Sequence, residues 1–226
     1  MPEPGSSPVR RSTLRQQIAD ALCDEVLAGR LPAGRQFTVK EMADQYGVSA
    51  TPVREALIDL CSQGLLDVEE HRGFRVHEFT LDDFRSMLEA RSLIAEGLFR
   101  RSVTDMVHAV APEALVSVRR RAEEAERAAR LGDLDILIGY DLRFFRELTS
   151  LIGNNYITDF LQRMRVQSWV FMVPYLRRLP DLAGVLWAEH SRLTDAVTRA
   201  DGVETERIIS SYNSHSLVLI ERLAQG

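Results

Sequence analysis

Three polar side chains near the start of one short segment could bind the phosphates and bases of a nucleic acid. Ser49, Thr51 and Arg54 lie within the string GVSATPVREAL, Gly47 to Leu57. Serine and threonine hydroxyls donate hydrogen bonds to phosphate oxygens, and an arginine guanidinium grips a guanine edge with two parallel hydrogen bonds. Because the three residues lie at one end of an amphipathic segment, they could reach into a nucleic-acid groove together.

The apolar spacing of this segment predicts the helix that must carry these side chains. An i, i+3, i+4, i+7, i+8 series indicates a buried helical face, and its members are Val53, Ala56, Leu57, Leu60 and Cys61. Ser49 or Thr51 is the expected N-cap. Pro52 falls in the first turn, where no amide hydrogen is needed. The polar side chains are therefore expected at the exposed N-terminus of a capped helix.

Two helices precede this one, and a β-hairpin follows it. The first helix has an apolar stripe at Leu14, Ile18, Leu22 and Val26. Thr38 opens the second with Glu41 at the capping-box spacing, and Gly47 closes it. The run LLDVEEHRGFRV predicts two strands around a His-Arg-Gly turn. Three helices and a hairpin in this order indicate a winged helix-turn-helix, whose second helix of the pair enters the major groove.

Other basic residues flank the predicted groove-reading helix. His71 and Arg72, beside Gly73, form a hairpin tip that could enter a minor groove, where arginine is favoured. Arg35 and Lys40 could contact backbone phosphates. For each of these residues taken singly, a solvated surface charge is the alternative interpretation.

The strings ALCDEVLAGRLPAGRQF, KEMADQYGVSATPVREALIDLCSQGLL and HRGFRV resemble the DNA-binding domain of GntR-type bacterial transcription regulators, over about residues 12–77. The resemblance implies DNA contacts at Arg35, Thr51, Arg54 and Gly73. Family members usually carry an arginine after GVS, where this chain has Ala50. The resemblance therefore implies one base or phosphate contact fewer per subunit.

The rest of the chain predicts about six helices, at roughly 81–107, 111–131, 133–152, 154–179, 181–201 and 202–223. Polar side chains interrupt the apolar stripes of four of them, at Arg91, Asp141, His190 and Tyr212. A buried charge is costly unless it is paired or liganded. A shared internal site is one explanation; the other is that these groups merely satisfy one another or point to solvent.

This helical region resembles the FCD domain of the FadR subgroup, on DLRFFRELTSLIGNNY, EHSRLTDAV and the final helix. Many members hold a divalent metal with one aspartate and three histidines, and an organic acid binds at or near it. Asp141 and His190 match, whereas Phe145 and Tyr212 occupy the other two positions and His215 lies about one turn away. The resemblance implies either no metal, which is favoured, or a degraded Zn, Ni or Mn site of Asp141, His190 and His215. It also implies an effector site, which comprises Arg91, Asp141, Phe145, His190, Tyr212 and His215.

These observations predict a mainly α protein of 226 residues. Residues 1–9 are a disordered lead-in, 10–78 a winged helix-turn-helix, and 79–226 an all-α bundle of six to seven helices. The net charge of −5 excludes a polycation that binds DNA by charge alone. A homodimer with a few placed contacts in each copy is expected instead. With no apolar leader and no segment long enough to cross a bilayer, the expected location is cytoplasmic.

The predicted function is a DNA-binding transcriptional regulator, by default a repressor, whose operator affinity responds to a small organic acid in the helical domain. One alternative is a DNA-binding dimer whose helical domain only dimerises. The other is a metal-dependent enzyme, because Asp141, His190 and a metal could activate water. The sequence shows no nucleophile, glycine-rich loop or closed ligand set, so no enzyme is expected.

Overall fold

Residues 13–100 and 112–225 are described by the structure, a computed structural model. The chain divides into two units, Met1–His77 and Glu78–Gly226. The predicted lead-in at 1–9, and the end of one predicted helix at 101–107, lie outside the described residues.

The first unit contains three helices, α1 (Leu14–Leu27), α2 (Val39–Tyr46) and α3 (Ala50–Ser62). The predicted capping box is confirmed: the Glu41 amide donates to the Thr38 hydroxyl at 3.2 Å, and the Thr38 amide donates to the Glu41 carboxylate at 2.6 Å. Gly47 ends α2 in the left-handed conformation, at φ 64°. Ser49 is the N-cap residue of α3, although its side chain makes no capping hydrogen bond.

Buried apolar faces of α1 and α3 form much of the core of this unit. They comprise Ile18, Leu22 and Val26 from α1, and Val53, Ala56, Leu57 and Leu60 from α3. Leu14, predicted on the same stripe, is 48% exposed as the first residue of its helix. The predicted buried face of α3 is thus largely confirmed, and it fixes the orientation of the helix.

The wing is a three-stranded antiparallel sheet in the order β1-β3-β2. Its strands are β1 (Gln36–Phe37), β2 (Leu66–Glu69) and β3 (Gly73–Val76). The sequence predicted β2 and β3 only. A strand of two residues is too short to show an alternating pattern, and β1 exists because Phe37 pairs with Phe74 and is buried.

Helices are the only regular secondary structure in the described part of the second unit. Its helices are α4 (Leu81–Arg100), α5 (Pro112–Leu131), α6 (Leu134–Ser150), α7 (Asn155–Leu176), α8 (His190–Thr198) and α9 (Gly202–Ala224). Side chains of Asp133, Asn154 and Asp201 cap α6, α7 and α9. The predicted fold class, a winged helix followed by a helical bundle, is confirmed.

One predicted helix, at 181–201, is wrong over its first half. The Asp181 side chain accepts a hydrogen bond from the Ala183 amide at 2.8 Å, a local turn that competes with a helix. Gly184 follows at φ 73°. For these reasons α8 begins only at His190, and the chain before it forms a turn at residues 183–185.

The core of the second unit joins α5, α6, α8 and α9. The cluster comprises Val118, Ala122, Phe144, Phe145, Leu148, Trp187, Leu193, Ala196, Val197, Ile208 and Tyr212. Three of the predicted site positions, Phe145, His190 and Tyr212, therefore lie in or against the core. Within the described residues, no helix is long and apolar enough to cross a membrane.

Candidate functional site

The start of α3 is polar and exposed. Ser49, Thr51 and Arg54 are all exposed, as is Ala50 between them. The opposite face of the helix is buried, so the core fixes the first turn while these side chains are free to contact a partner. A groove-reading helix needs this arrangement.

The wing tip is exposed at His71 and Arg72. The next residue, Gly73, has φ +102°, and a Cβ on it would lie 2.5 Å from the carbonyl oxygen of Phe37. Only glycine avoids that collision while holding this conformation. Gly73 thus allows β3 to approach β1 closely. The tip lies directly before Gly73, between β2 and β3.

Arg35 and Lys40 are also exposed. Together with the residues above they form a set that we call the reading face: Arg35, Lys40, Ser49, Thr51, Arg54, His71, Arg72 and Gly73. In the described part of this unit, the arginine ion pairs join Arg15 to Asp59, and Arg75 to Glu69 and Asp67. The arginines of the reading face are not among them, so their donors are available to an external anion.

Asp141, on α6, is the centre of a buried polar group in the second unit and is 0% exposed. Its Oδ2 accepts hydrogen bonds from Trp169 Nε1 at 2.8 Å and from Arg165 Nη1 at 3.3 Å. Its Oδ1 accepts one from His190 Nε2 at 3.1 Å. Burial raises the pKa of the Asp141 carboxyl, but Arg165 and His190 outweigh burial and lower this pKa to about 2. The carboxyl group is therefore ionised at neutral pH.

Arg165, on α7, is a residue of this site that the sequence did not predict. It is 6% exposed, and its Cζ lies 3.2 Å from the ring centroid of Phe145 and 5.0 Å from that of Tyr212. One signal could have revealed it. Arg165 lies four residues before Trp169 and immediately before the apolar run VQSWVFMVPYL, which places both side chains on one helical face.

Arg91, on α4, also lies against the ring of Tyr212. It is 4% exposed, and its Cζ lies 5.1 Å from the Tyr212 ring centroid. Burial and the neighbouring charge of Arg165 lower the pKa of Arg91 to about 10. Burial and the charge of Asp141 raise the pKa of the Tyr212 hydroxyl. Arg91, Asp141, Arg165 and His190 are the four members of what we call the buried cluster.

Two cavities adjoin the buried cluster. The first, of about 70 Å³, is lined by Arg91, Arg165, Phe145 and Gln162 among mostly apolar side chains. The second, of about 30 Å³, is lined by four of the predicted positions, Asp141, His190, Tyr212 and His215. The structure thus distributes the predicted effector residues around two adjacent spaces.

The donor set does not fit the divalent metal that the family resemblance raised. His190 Nε2 must carry its proton to donate to Asp141, so this nitrogen has no lone pair for a metal. His215 Nε2 instead donates to the carbonyl oxygen of Val185 at 2.9 Å. Among the residues that the structure describes, no three His, Cys, Asp or Glu side chains are grouped as metal ligands.

Both units of the chain match known protein families. The model of "Bacterial regulatory proteins, gntR family" matches residues 14–76, and that of the FCD domain matches residues 86–214. The HTH-type transcriptional regulator McbR of Escherichia coli (strain K12) is 30% identical over 179 residues, which cover 78% of this chain and 76% of that protein. A probable D-xylose utilization operon transcriptional repressor of Paenarthrobacter nicotinovorans is 32% identical over 149 residues. This second match covers 66% of the chain and 64% of that relative, less than two thirds of its length.

Solved structures show the same fold. The structure of E. coli McbR/YncC has a TM-score of 0.71 at 24% identity and covers 94% of this chain and 99% of its own. A GntR regulator from Rhodococcus sp. RHA1 has a TM-score of 0.64 at 19% identity, covering 92% and 98%. The matched families consist of transcription regulators rather than enzymes. The chain belongs to the GntR family of bacterial regulatory proteins, in the FadR-like group with a C-terminal FCD domain, and is a DNA-binding transcriptional regulator.

Proposed function

We propose that this regulator acts in the cytoplasm as a homodimeric repressor on a near-palindromic operator. We further propose that a small monocarboxylate, bound in the first cavity of the helical unit, changes its operator affinity. Such a ligand can shift DNA binding only by the difference between its affinities for the DNA-competent and DNA-incompetent arrangements.

The observation that carries the ligand proposal is the charge balance of the buried cluster. Arg91 and Arg165 contribute two positive charges and Asp141 one negative charge, and in the described part of the chain the ion pairs of this cluster join Asp141 to Arg165 and His190. Arg91 contacts the neutral Tyr212 instead. A buried charge without a counterion is costly, so a monoanion is the ligand that would balance it. A carboxylate would accept two parallel hydrogen bonds from a guanidinium.

The walls of the first cavity indicate what the rest of that acid is like. Apart from the arginines, Gln162 and two threonines, the lining is hydrophobic, and it includes Leu148, Ile152 and Ile209. Gln162 Oε1 is buried with no hydrogen-bond partner among the described residues, which offers an acceptor to a ligand hydroxyl. A volume of about 70 Å³ is roughly five water-sized groups by the usual measure. A short aliphatic acid fits these dimensions.

The DNA proposal rests on the reading face. The chain has a net charge of −5, so tight binding has to come from a few placed contacts, used twice. A homodimer that puts two copies of α3 in successive major grooves provides them. Repression is the sign we propose because two similar proteins, the one from P. nicotinovorans and the HTH-type transcriptional repressor RspR of E. coli, are named repressors.

A direct test uses operator duplexes selected from a random pool, with propionate and butyrate as ligands, and butyramide and succinate as neutral and dianionic controls. The monocarboxylates should raise the melting temperature and change operator affinity, measured by fluorescence anisotropy, whereas the controls should do neither. Arg91→Gln should lose both responses. Arg163→Gln, an exposed arginine on α7, should keep them.

The competing hypothesis is a helical unit that only dimerises. It predicts operator binding that no acid alters, and the same behaviour for Arg91→Gln as for the native chain. A monomer by sedimentation, at concentrations that saturate the operator, would contradict the dimer in either case.

A further inference from the structure

We propose that the guanidinium of Arg165 is a built-in cation that takes the place of a divalent metal, so that the helical unit functions without one. The proposal goes beyond the monocarboxylate proposed above, because it concerns what balances Asp141 rather than which acid binds. It holds or fails whatever the ligand is.

The position of the guanidinium is the first step. Metal-binding members of the family ligate from the positions that here hold Asp141, Phe145, His190 and Tyr212. Arg165 Nη1 lies 3.3 Å from Asp141 Oδ2, and its Cζ lies 3.2 Å from the Phe145 ring centroid and 5.0 Å from that of Tyr212. His190 binds the other oxygen of the same carboxylate, at 3.1 Å. The positive charge of Arg165 thus lies beside three of the four positions, and the fourth, His190, shares the Asp141 carboxylate with it.

The chemistry of the two exchanged positions is the second step. An imidazole offers a metal its lone pair, whereas the face of a phenyl or phenol ring offers none and instead attracts a delocalised cation. Phe145 and Tyr212 both present ring faces to guanidinium groups: Arg165 lies over both rings, and Arg91 lies over Tyr212 from 5.1 Å. Phe145 and Tyr212 therefore remove two metal ligands and at the same time add two aromatic faces that attract a guanidinium.

Exclusion of a metal is the third step. To ligate Asp141 through Oδ2, an incoming ion would have to displace Arg165 and the indole of Trp169 from that oxygen. To ligate through Oδ1 and His190 Nε2, it would have to take the proton that joins these two atoms. After that it would lie beside a guanidinium that stays protonated at any physiological pH. The residues that hold Asp141 in place are thus the ones that keep a metal out.

The first experiment uses the native full-length protein. We expect far less than one transition metal per chain by elemental analysis, and the same melting temperature in EDTA as in Zn²⁺, Ni²⁺ or Mn²⁺. About one ion per chain, with a fall in melting temperature when EDTA removes it, would overturn the proposal. This measurement decides whether the native helical unit holds a metal, even if none of the variants in the second experiment folds.

The second experiment converts the site. The triple variant Phe145→His/Tyr212→His/Arg165→Met restores both ligands and removes the cation, while the matched double variant Phe145→His/Tyr212→His keeps Arg165. The triple variant should bind about one Co²⁺ per chain, with the visible absorption of histidine-bound cobalt. The double variant should bind at least about 100-fold more weakly, since the guanidinium repels the ion at close range. Equal Co²⁺ affinities in two folded variants, checked by circular dichroism, would mean that Arg165 does not exclude the metal.

Discussion

The arginines of the reading face and those of the buried cluster lie in opposite surroundings. Arg54 and Arg72 are exposed and absent from the ion pairs of the described residues, whereas Arg91 and Arg165 are 4% and 6% exposed. An exposed arginine is solvated when it is idle and gains energy only when a partner arrives. A buried arginine needs compensation at all times. Replacing an arginine of the reading face should therefore change binding alone, whereas breaking the ion pair of the buried cluster should change the stability of the fold.

The largest expected effect comes from removing the counterion of Arg165. Asp141→Ala should lower the free energy of unfolding of the helical unit by about 3–5 kcal/mol, because it leaves a buried guanidinium unpaired. Urea denaturation followed by circular dichroism measures this loss. Asp135→Ala is the control: this exposed aspartate on the same helix pairs with Arg177, and such a surface pair contributes about 0–1 kcal/mol. Equal losses for the two variants would contradict the distinction drawn above.

A smaller loss is expected at the wing, where backbone rather than charge is at stake. Gly73→Ala should destabilise the DNA-binding unit by about 2–3 kcal/mol, because its Cβ would meet the Phe37 carbonyl oxygen at 2.5 Å and φ is +102°. Gly47→Ala is the comparison, since φ there is +64° but nothing lies within 4 Å of the added atom. It should cost about 1–2 kcal/mol. If Gly47→Ala were the more harmful of the two, the close approach of β3 to β1 would not be what fixes the wing.

A third substitution should change binding with no effect on folding. Arg54→Ala should weaken operator binding by about 1–3 kcal/mol per subunit and leave the melting temperature unaltered, since the side chain is exposed. Fluorescence anisotropy with the selected operator and a thermal melt give the two readouts. Arg30→Ala, exposed in the same unit but outside the reading face, is the control. Native operator affinity in Arg54→Ala would remove Arg54 from the DNA contacts.

The smallest expected effect is an increase in operator affinity. Ala50→Arg should raise operator affinity and steepen its salt dependence by about one contact per subunit, because Ala50 is exposed beside Ser49 and Thr51. Ala50→Gln has a shorter, uncharged side chain and should leave the slope alone. A slope that stays the same in Ala50→Arg would place this position away from the phosphates.

Short-range signals explain how much of the first unit could be predicted. The capping box of Thr38 and Glu41, the left-handed Gly47 and the apolar series of α3 all act within a few residues. The sequence alone is therefore enough to find them. The strand β1 was not predicted, because it depends on the pairing of Phe37 with Phe74, which are more than thirty positions apart in the chain.

Three of the four members of the buried cluster were predicted from the sequence, but the fourth, Arg165, and the pairing of the charges were not. Arg91, Asp141 and His190 each interrupt an apolar stripe, and each is buried. Which cation balances Asp141 depends on how α6 and α7 pack, and no local pattern specifies that Arg165 rather than Arg91 lies beside it. His215 shows the same limit, because its hydrogen bond goes to a carbonyl of the segment before α8. That segment was itself predicted as helix.

The placement of the two tryptophans gives this regulator an optical probe of its own. The chain has only two: Trp169, whose indole binds Asp141, and Trp187, whose ring lies 4.6 Å from that of His190. Both belong to the helical unit, so fluorescence excited selectively in tryptophan comes from that unit and not from the DNA-binding unit. Emission intensity and wavelength would then report the state of the buried cluster alone. Occupancy of the pocket could be followed in real time, without a label, while DNA is bound elsewhere on the same molecule.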